Sequence, residues 1–113
     1  MAVTTTWSIN DMQHNDSDGG VTIVYWSLIA NNDSGNESAT EGAKLRLTYD
    51  ASDSGFTSYA SLTEADVLGW VYDSLIEGDE TATEAKARIE ADRTAKVNAQ
   101  ITRNADTSTG KPW

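Results

Sequence analysis

The residue types that commonly perform catalysis are scarce in this chain, and their settings do not favour chemistry. His14 is the only histidine among the 113 residues, and it stands at the edge of an acidic turn. A Ser-His-Asp mechanism would depend on it, yet no serine lies in a Gly-x-Ser-x-Gly motif that would expose a nucleophile. The absence of cysteine excludes thiol nucleophiles, thiolate zinc sites and disulfides. We therefore expect His14 to be a solvated turn residue and the protein not to be an enzyme.

Acidic residues are numerous, but their spacing does not complete a known metal or catalytic motif. Asp16 and Asp18, followed by Gly19, imitate the start of a calcium loop. An EF-hand requires a glutamate at the twelfth position, which counted from Asp16 is Ser27. The remaining acids lie mostly in turns and on polar helix faces, where the pKa shifts that catalysis needs are small. The sequence predicts no catalytic residue, no metal site and no cofactor, with a calcium-stabilised binding module kept as an alternative.

The charge of the chain is large, negative and unevenly distributed. The net charge is −10, and residues 1–80 contain only Lys44 and Arg46 as basic residues. Residues 81–113 carry a small positive balance. The total disfavours direct contact with nucleic-acid phosphates, whereas the asymmetry would favour head-to-tail contacts between copies. No apolar run approaches the roughly 20 residues of a membrane span, and no signal peptide is predicted, so we expect synthesis in the cytoplasm and no membrane partner.

The first half of the chain reads as strands separated by turns. Strands are predicted at about 4–11, 21–30 and 43–49, and clusters of Asn, Asp, Ser and Gly between them predict turns. Residues 43–49 alternate between apolar and polar, which is typical of a half-buried strand. Residues 21–30 are nearly apolar throughout, which predicts a central strand covered on both faces.

The second half has helical periodicity. Helices are predicted at about 63–77 and 82–103, each opened by a capping box, and Gly78 is expected to end the first. The candidate boxes are Thr63 with Asp66 or Ser61 with Glu64 for the first helix, and Thr81 with Glu84 for the second. Alternating charges at i,i+4 spacing support the second helix; they are Glu84, Arg88, Asp92 and Lys96.

Strands followed by helices favour an α+β fold over a doubly wound one. We predict a three-stranded antiparallel β-meander followed by two α-helices, forming a single small domain over residues 1–106. Residues 107–113 are predicted to form a C-terminal tail that ends in tryptophan.

The C-terminal tail carries an unusual residue for a polar, frayed segment. Trp113 follows Gly110 and Pro112; glycine permits a change of direction, and proline lowers the entropy lost when the segment docks. Aromatic anchors dominate the energetics of many interfaces, so Trp113 is predicted to fill a pocket in its own core or in a neighbour. The expected partner-binding residues come from the tail and from the thin apolar stripe of the second helix. They are Trp113, Pro112, Ile89, Val97 and Ile101.

Several stretches together carry a resemblance over nearly the whole chain, from Trp7 to Trp113. They are "TTTWSINDMQHNDSDGGVTIVYW", "GAKLRLTYD", "SLTEADVLGWVYDSL" and the closing "GKPW". The ordered set resembles a group of short, uncharacterised proteins encoded by marine tailed phages, particularly phages that infect cyanobacteria. Members of that group often end in Gly-Leu-Pro-Trp, so Lys111 is a small departure that makes this tail more polar. The group has no established activity, so the resemblance transfers no catalytic residues.

What the resemblance implies is a location in a phage virion. It leads us to expect a non-enzymatic structural or accessory protein, such as a capsid decoration or a neck or tail component. The expected partners are other virion proteins or further copies of the chain, in a homo-oligomer or a larger assembly. An alternative is an intracellular acidic phage protein that inhibits a host factor, for instance as a DNA mimic. Acids concentrated in loops, with alternating charges on the long helix, disfavour mimicry.

Overall fold

Three strands and two helices follow one another along the chain, and a computed structural model describes residues 2–108 and 110–113. The elements are β1 (Val3–His14), β2 (Val21–Asn32), β3 (Ser38–Arg46), α1 (Glu64–Ser74) and α2 (Ala82–Ala105), with a short 3-10 turn at Tyr59–Ser61 before α1. The predicted fold class, a three-stranded antiparallel meander followed by two helices, is confirmed.

β2 is the central strand of the sheet and pairs antiparallel with β1 and β3. β3 begins and ends earlier than the predicted 43–49. The early start follows from a tight turn, in which the Asn32 side-chain amide donates to the Glu37 carboxylate at 2.8 Å and its oxygen accepts from Ser34 N–H at 3.1 Å. A backbone bond from Leu47 N–H to Thr22 O at 2.9 Å then lies just beyond the end of β3.

Only one face of β2 is covered, which corrects the expectation of a strand buried on both sides. The inner face is buried and contributes Val24, Trp26, Leu28 and Ala30 to the interior. Alternate residues Ile23, Tyr25, Ser27 and Ile29 are half-buried or exposed, and this surface is called the open face. Two-sided burial is not needed to explain the apolar run, because β-branched and aromatic residues are also favoured on a half-buried strand.

The core lies between the inner face of the sheet and the two helices. Val67 and Val71 of α1 pack with Val24, Trp26 and Leu28, and Ile89 of α2 packs at the margin of this cluster. Trp7 of β1 lies beside Trp26 with ring centroids 5.6 Å apart. Its indole N–H donates to the Glu90 carboxylate at 2.8 Å, which ties α2 to β1.

Both helices begin at capping boxes. Thr63 and Asp66 form the box of α1, and Thr81 and Glu84 form that of α2, which satisfies backbone N–H groups that would otherwise lack partners. α1 ends at Ser74, three residues before the predicted boundary. Gly78 has φ +58° and therefore turns the link between the helices, where a residue with a β-carbon would be strained.

The link between the helices is closed by Arg88 of α2. Its guanidinium donates to the Glu80 carboxylate at 2.9 Å and to the carbonyl of Leu75 at 2.9 Å. The hydrogen bond from Arg88 lowers the pKa of Glu80, and a backbone N–H from Glu77 adds to the effect. Arg88 is therefore engaged outside the predicted i,i+4 ladder, because the link offers it a carboxylate and a carbonyl oxygen.

α2 runs along β3 toward the turn between β2 and β3. The side chains of Arg93 and Gln100 donate to the carbonyls of Thr40 and Ser38, at 3.3 and 2.9 Å. Near the end of the helix, the Asn104 amide donates to Glu37 at 2.8 Å. In the residues that the structure describes, no helix combines the length and apolar character needed to cross a membrane.

The chain is elongated for its length. Its radius of gyration is 18.6 Å, with principal extents of 71, 32 and 19 Å, whereas a compact domain of this size is expected near 13 Å. The long sheet, the parallel course of α2 and the C-terminal tail account for the shape.

Candidate functional site

The C-terminal tail does not fold back onto the domain. Trp113 is 90% exposed, and Lys111 and Pro112 are exposed as well. The Nζ of Lys111 lies 5.9 Å from the centroid of the Trp113 ring. The chain's own core therefore does not receive this tryptophan.

The other predicted partner-binding residues face the sheet to different degrees. Val97 is fully buried, so the expectation that it contacts a partner is corrected. The thin apolar stripe of α2 packs on the sheet, so a side chain at the centre of the stripe has no exposed surface that could contact another protein. Ile89 and Ile101 are half-buried on the same helix. The structure does not bring any of these three together with Trp113.

A pocket that the sequence did not reveal lies at the opposite end of the sheet, beside the turn between β1 and β2. Backbone bonds close this turn, from Gly19 N–H to Asn15 O and from Asn15 N–H to Gly20 O, both at 2.9 Å. Gly19 has φ +72°, a conformation that favours glycine. The ring of Tyr49 lies directly against Gly20, in the space that a β-carbon would occupy.

Tyr49 is fixed in this position by its hydroxyl. The hydroxyl donates to the carboxylate of Asp18, with oxygen–oxygen distances of 2.9 and 3.1 Å, and accepts from the Asn15 amide at 2.6 Å. The ring is therefore held at one end by hydrogen bonds and along its face by the backbone of Gly20. Rotation of the ring away from the turn would break these contacts.

The loop after Tyr49 is shaped by two aspartates. Asp50 accepts from the N–H and hydroxyl of Ser52, at 3.0 and 2.6 Å, and these bonds lower the pKa of Asp50, the hydroxyl having the larger effect. Asp53 accepts from Gly55 N–H at 2.9 Å. These local turns, a common use of aspartate, bring the ring of Phe56 to 5.5 Å from the ring of Tyr49.

Together with α1, this loop encloses an open cleft of about 350 Å³. The residues that carry its chemistry are Tyr49, Asp50, Asp53, Phe56, Thr57 and Trp70, and this site is called the aromatic cleft. Aromatic walls bind flat apolar groups and the faces of cations, and the carboxylates favour a positive charge. The site is suited to an aromatic side chain accompanied by a basic one.

Sequence reasoning placed two of these aromatic residues differently. Tyr49 was the last residue of the predicted third strand, 43–49, and Phe56 lay outside every predicted strand and helix. Trp70 lay within the first predicted helix, and it packs against the core while also lining the cleft. The sequence did contain one signal of the cleft: large aromatic residues stand beside clusters of turn-forming residues. Such residues are unusual in a loop that is exposed only to solvent.

His14 is not a solvated turn residue. It ends β1, and its ring stacks on Tyr59 with centroids 3.7 Å apart and planes 16° apart. The N–H of Tyr59 donates to Gly19 O at 2.7 Å, which brings the loop before α1 against the β1–β2 turn. The expectation failed because the partner ring lies 45 residues away in sequence, beyond the reach of local patterns.

The carboxyl groups with clearly displaced pKa values all shift downward. They are Glu37, Asp50, Glu80 and Asp92, and the largest cause in each is a hydrogen bond from a neighbouring side chain. Within residues 2–108 and 110–113, no group of three or more His, Cys, Asp and Glu side chains could hold a metal ion.

Comparisons with known proteins identify a family and no individual relative. No curated protein and no solved structure showed significant similarity to the chain. One family model matches residues 2–113, and its description is a domain of unknown function, DUF7936. Because the match spans almost the entire sequence, the chain belongs to the DUF7936 family.

Proposed function

We propose that this chain is a non-enzymatic structural or accessory protein of a phage virion, working through protein–protein contacts. The position within the particle is that of a capsid decoration or a neck or tail component. Its partners are other virion proteins or further copies of the chain, so the protein acts as part of an oligomer or a larger assembly. It is made in the host cytoplasm and contacts neither nucleic acid nor a membrane directly.

The observation that carries this proposal is the exposure of Trp113. A tryptophan offers roughly 200 Å² or more of surface for burial, and here 90% of the residue's surface faces solvent. Pro112 restricts the backbone beside it, which reduces the entropy lost on docking. An exposed aromatic residue on a partly stiffened segment is a suitable anchor for another protein.

The ionisable groups are in keeping with a binding role. A general acid near neutral pH requires a raised carboxyl pKa, whereas the displaced carboxyl pKa values here are lowered. The resemblance to short proteins of marine tailed phages supplies the virion context for this binding role. The DUF7936 family is described only as a domain of unknown function, so membership of it indicates no other activity.

The proposal is tested by quantitative mass spectrometry of gradient-purified particles of the phage that encodes the chain. We expect a fixed copy number relative to the major capsid protein, with hundreds of copies indicating capsid decoration and a small symmetric number indicating the neck or tail. A chain that is abundant in infected lysate but missing from the particles would overturn the proposal. That result would favour the alternative of an intracellular inhibitor of a host factor.

A further inference from the structure

The C-terminal tail and the aromatic cleft lie at opposite ends of the sheet. The cleft is lined by Val21, the first residue of β2. The end of α2 lies at the other end of that strand, where Asn104 bonds to Glu37 in the turn after β2. The 12 residues of β2, at about 3.3 Å per residue, separate the two ends by roughly 36 Å.

This separation prevents the tail from entering the cleft of its own chain. The seven residues 107–113 span at most roughly 25 Å when fully extended, which is less than the length of the strand. The cleft lies at or beyond the far end of β2, so the tail falls short of it. Any occupation of the cleft by this segment is therefore a contact between two molecules.

The tail and the cleft are complementary in chemistry. Trp113 is an exposed aromatic ring, and the cleft presents the rings of Tyr49, Phe56 and Trp70. Aromatic rings pair favourably in offset or edge-to-face geometry. Lys111, two residues before Trp113, supplies a positive charge for the carboxylates that border the cleft, Asp50 and Asp53.

We propose that the C-terminal tail of one copy docks in the aromatic cleft of a second copy, with Trp113 between the aromatic walls and Lys111 beside Asp50 and Asp53. This inference rests on the proposed function, in which the chain works through protein contacts, and it names a second copy as a partner. In the free tail Lys111 lies near the Trp113 ring. On docking, the Trp113 ring leaves Lys111 and contacts the aromatic walls of the cleft, and the Lys111 ammonium group comes to lie beside the two carboxylates.

The contact is heterologous, because the two molecules contribute different surfaces. Repetition of such a contact produces a ring when the rotation closes and a filament when it does not. A few tail residues bury much less than the roughly 1,200 Å² of a stable interface, so a single contact is weak. It becomes effective where many copies are held together and the local concentration is high.

The cleft wall is organised before the tail arrives. Tyr49 is held by Asp18, Asn15 and the backbone of Gly20. Asp50 is held by Ser52. Docking therefore requires ordering of the tail and little rearrangement of the cleft, which limits the entropy lost on association.

The test is sedimentation velocity of the full chain, at concentrations up to about 1 mM, where contacts of millimolar strength are detectable. We expect the sedimentation coefficient of the unmodified chain to rise with concentration. Trp113→Ala removes the anchor, and Thr57→Arg places a bulky cation in the cleft; each should weaken self-association by about tenfold or more. Both residues are exposed, so neither change should affect folding.

A mixture of the two variants provides the sharpest result. Trp113→Ala retains the cleft and Thr57→Arg retains the tail, so an equal mixture should form a one-to-one dimer that neither variant forms alone. Thr102→Arg is the matched control, since it adds the same charge at an exposed site on α2 and should self-associate like the unmodified chain.

Three outcomes would overturn the proposal: a chain that stays monomeric at all concentrations, variants that self-associate as the unmodified chain does, or a mixture that remains monomeric. A monomeric chain that is nevertheless found in purified particles would remove tail docking and leave the proposed function standing. A self-associating chain absent from particles would remove the proposed function alone.

Discussion

The hydroxyl of Tyr49 donates a hydrogen bond to the carboxylate of Asp18, across 31 residues of sequence. The bond joins the chain after β3 to the turn between β1 and β2, and it fixes one wall of the aromatic cleft. The architecture of the cleft therefore depends on a contact between two segments that are both irregular in backbone structure.

Replacement of Tyr49 by phenylalanine should destabilise the protein by about 1 kcal/mol, because it removes a hydrogen bond to a charged group at a partly exposed site. Urea unfolding measures the change, with an unaltered m-value expected. Tyr25→Phe is the matched control, since Tyr25 lies on the open face and is 37% exposed. Its effect should stay within about 0.5 kcal/mol, and equal losses in the two variants would contradict the role of the Tyr49 hydroxyl.

Gly20→Ala should destabilise the protein by about 1–3 kcal/mol, because the added methyl group overlaps with the ring of Tyr49 and neither can move freely. Gly69→Ala in α1 is the matched control. Nothing lies within 4 Å of a β-carbon at Gly69, so this change should stabilise the helix by about 0.5–1 kcal/mol. The opposite signs are measurable by thermal unfolding, and a neutral Gly20→Ala would show that the ring does not rest on this backbone.

The lowered pKa of Glu80 predicts a contribution to stability that acid removes. The hydrogen bond from Arg88 is the largest cause, followed by that from Glu77 N–H. Because the folded pKa lies below the unfolded value of about 4.3, the stabilisation is complete above that pH. It is lost as the pH falls through the folded value.

Glu80→Gln should therefore reduce stability near neutral pH and flatten the loss of stability as the pH falls below about 4.3. Asp73→Asn, at an exposed position of α1, is the control and should leave the pH profile close to that of the unmodified chain. Since Glu37, Asp50 and Asp92 also have lowered pKa values, the readout is the difference between profiles. Parallel profiles for Glu80→Gln and the unmodified chain would refute the assignment.

Val97 and Trp113, which sequence reasoning grouped as partner contacts, should respond oppositely to truncation. Val97→Ala removes buried methyl groups and should cost about 1–3 kcal/mol of unfolding free energy, because the residue has no exposed surface. Trp113→Ala should change stability by less than about 0.5 kcal/mol. Chemical denaturation compares them directly. A large loss from Trp113→Ala would mean that the tail packs on its own domain.

Features governed by local chemistry were predictable from the sequence. The box that pairs Thr81 with Glu84 acts within three residues, and the box at Thr63 is of the same kind. The fold class followed from strand and helix periodicities, which depend on side-chain spacing alone. The start of β3 was missed because Ser38 and its neighbours are polar, and the pairing there is set by the turn at Asn32.

The aromatic cleft was not predictable, because it is produced by contacts between distant segments. Phe56 reaches Tyr49 only through the turns built on Asp50 and Asp53. The burial of Val97 and the exposure of one face of β2 were missed for the same reason, since both depend on contacts between distant segments. An apolar pattern in the sequence predicts that a side chain tends to be buried. Which side chains are buried depends on how α2 packs on β2.

Photo-cross-linking from position 113 tests whether the chain works through protein contacts in a particle. A benzophenone side chain in place of Trp113, with purified particles irradiated and digested, allows mass spectrometry to identify the contacted residues. We expect links from position 113 to a particle protein, with residues 47–57 of a second copy as the contacted site. Particles that contain the chain but show no intermolecular link from position 113 would contradict this expectation.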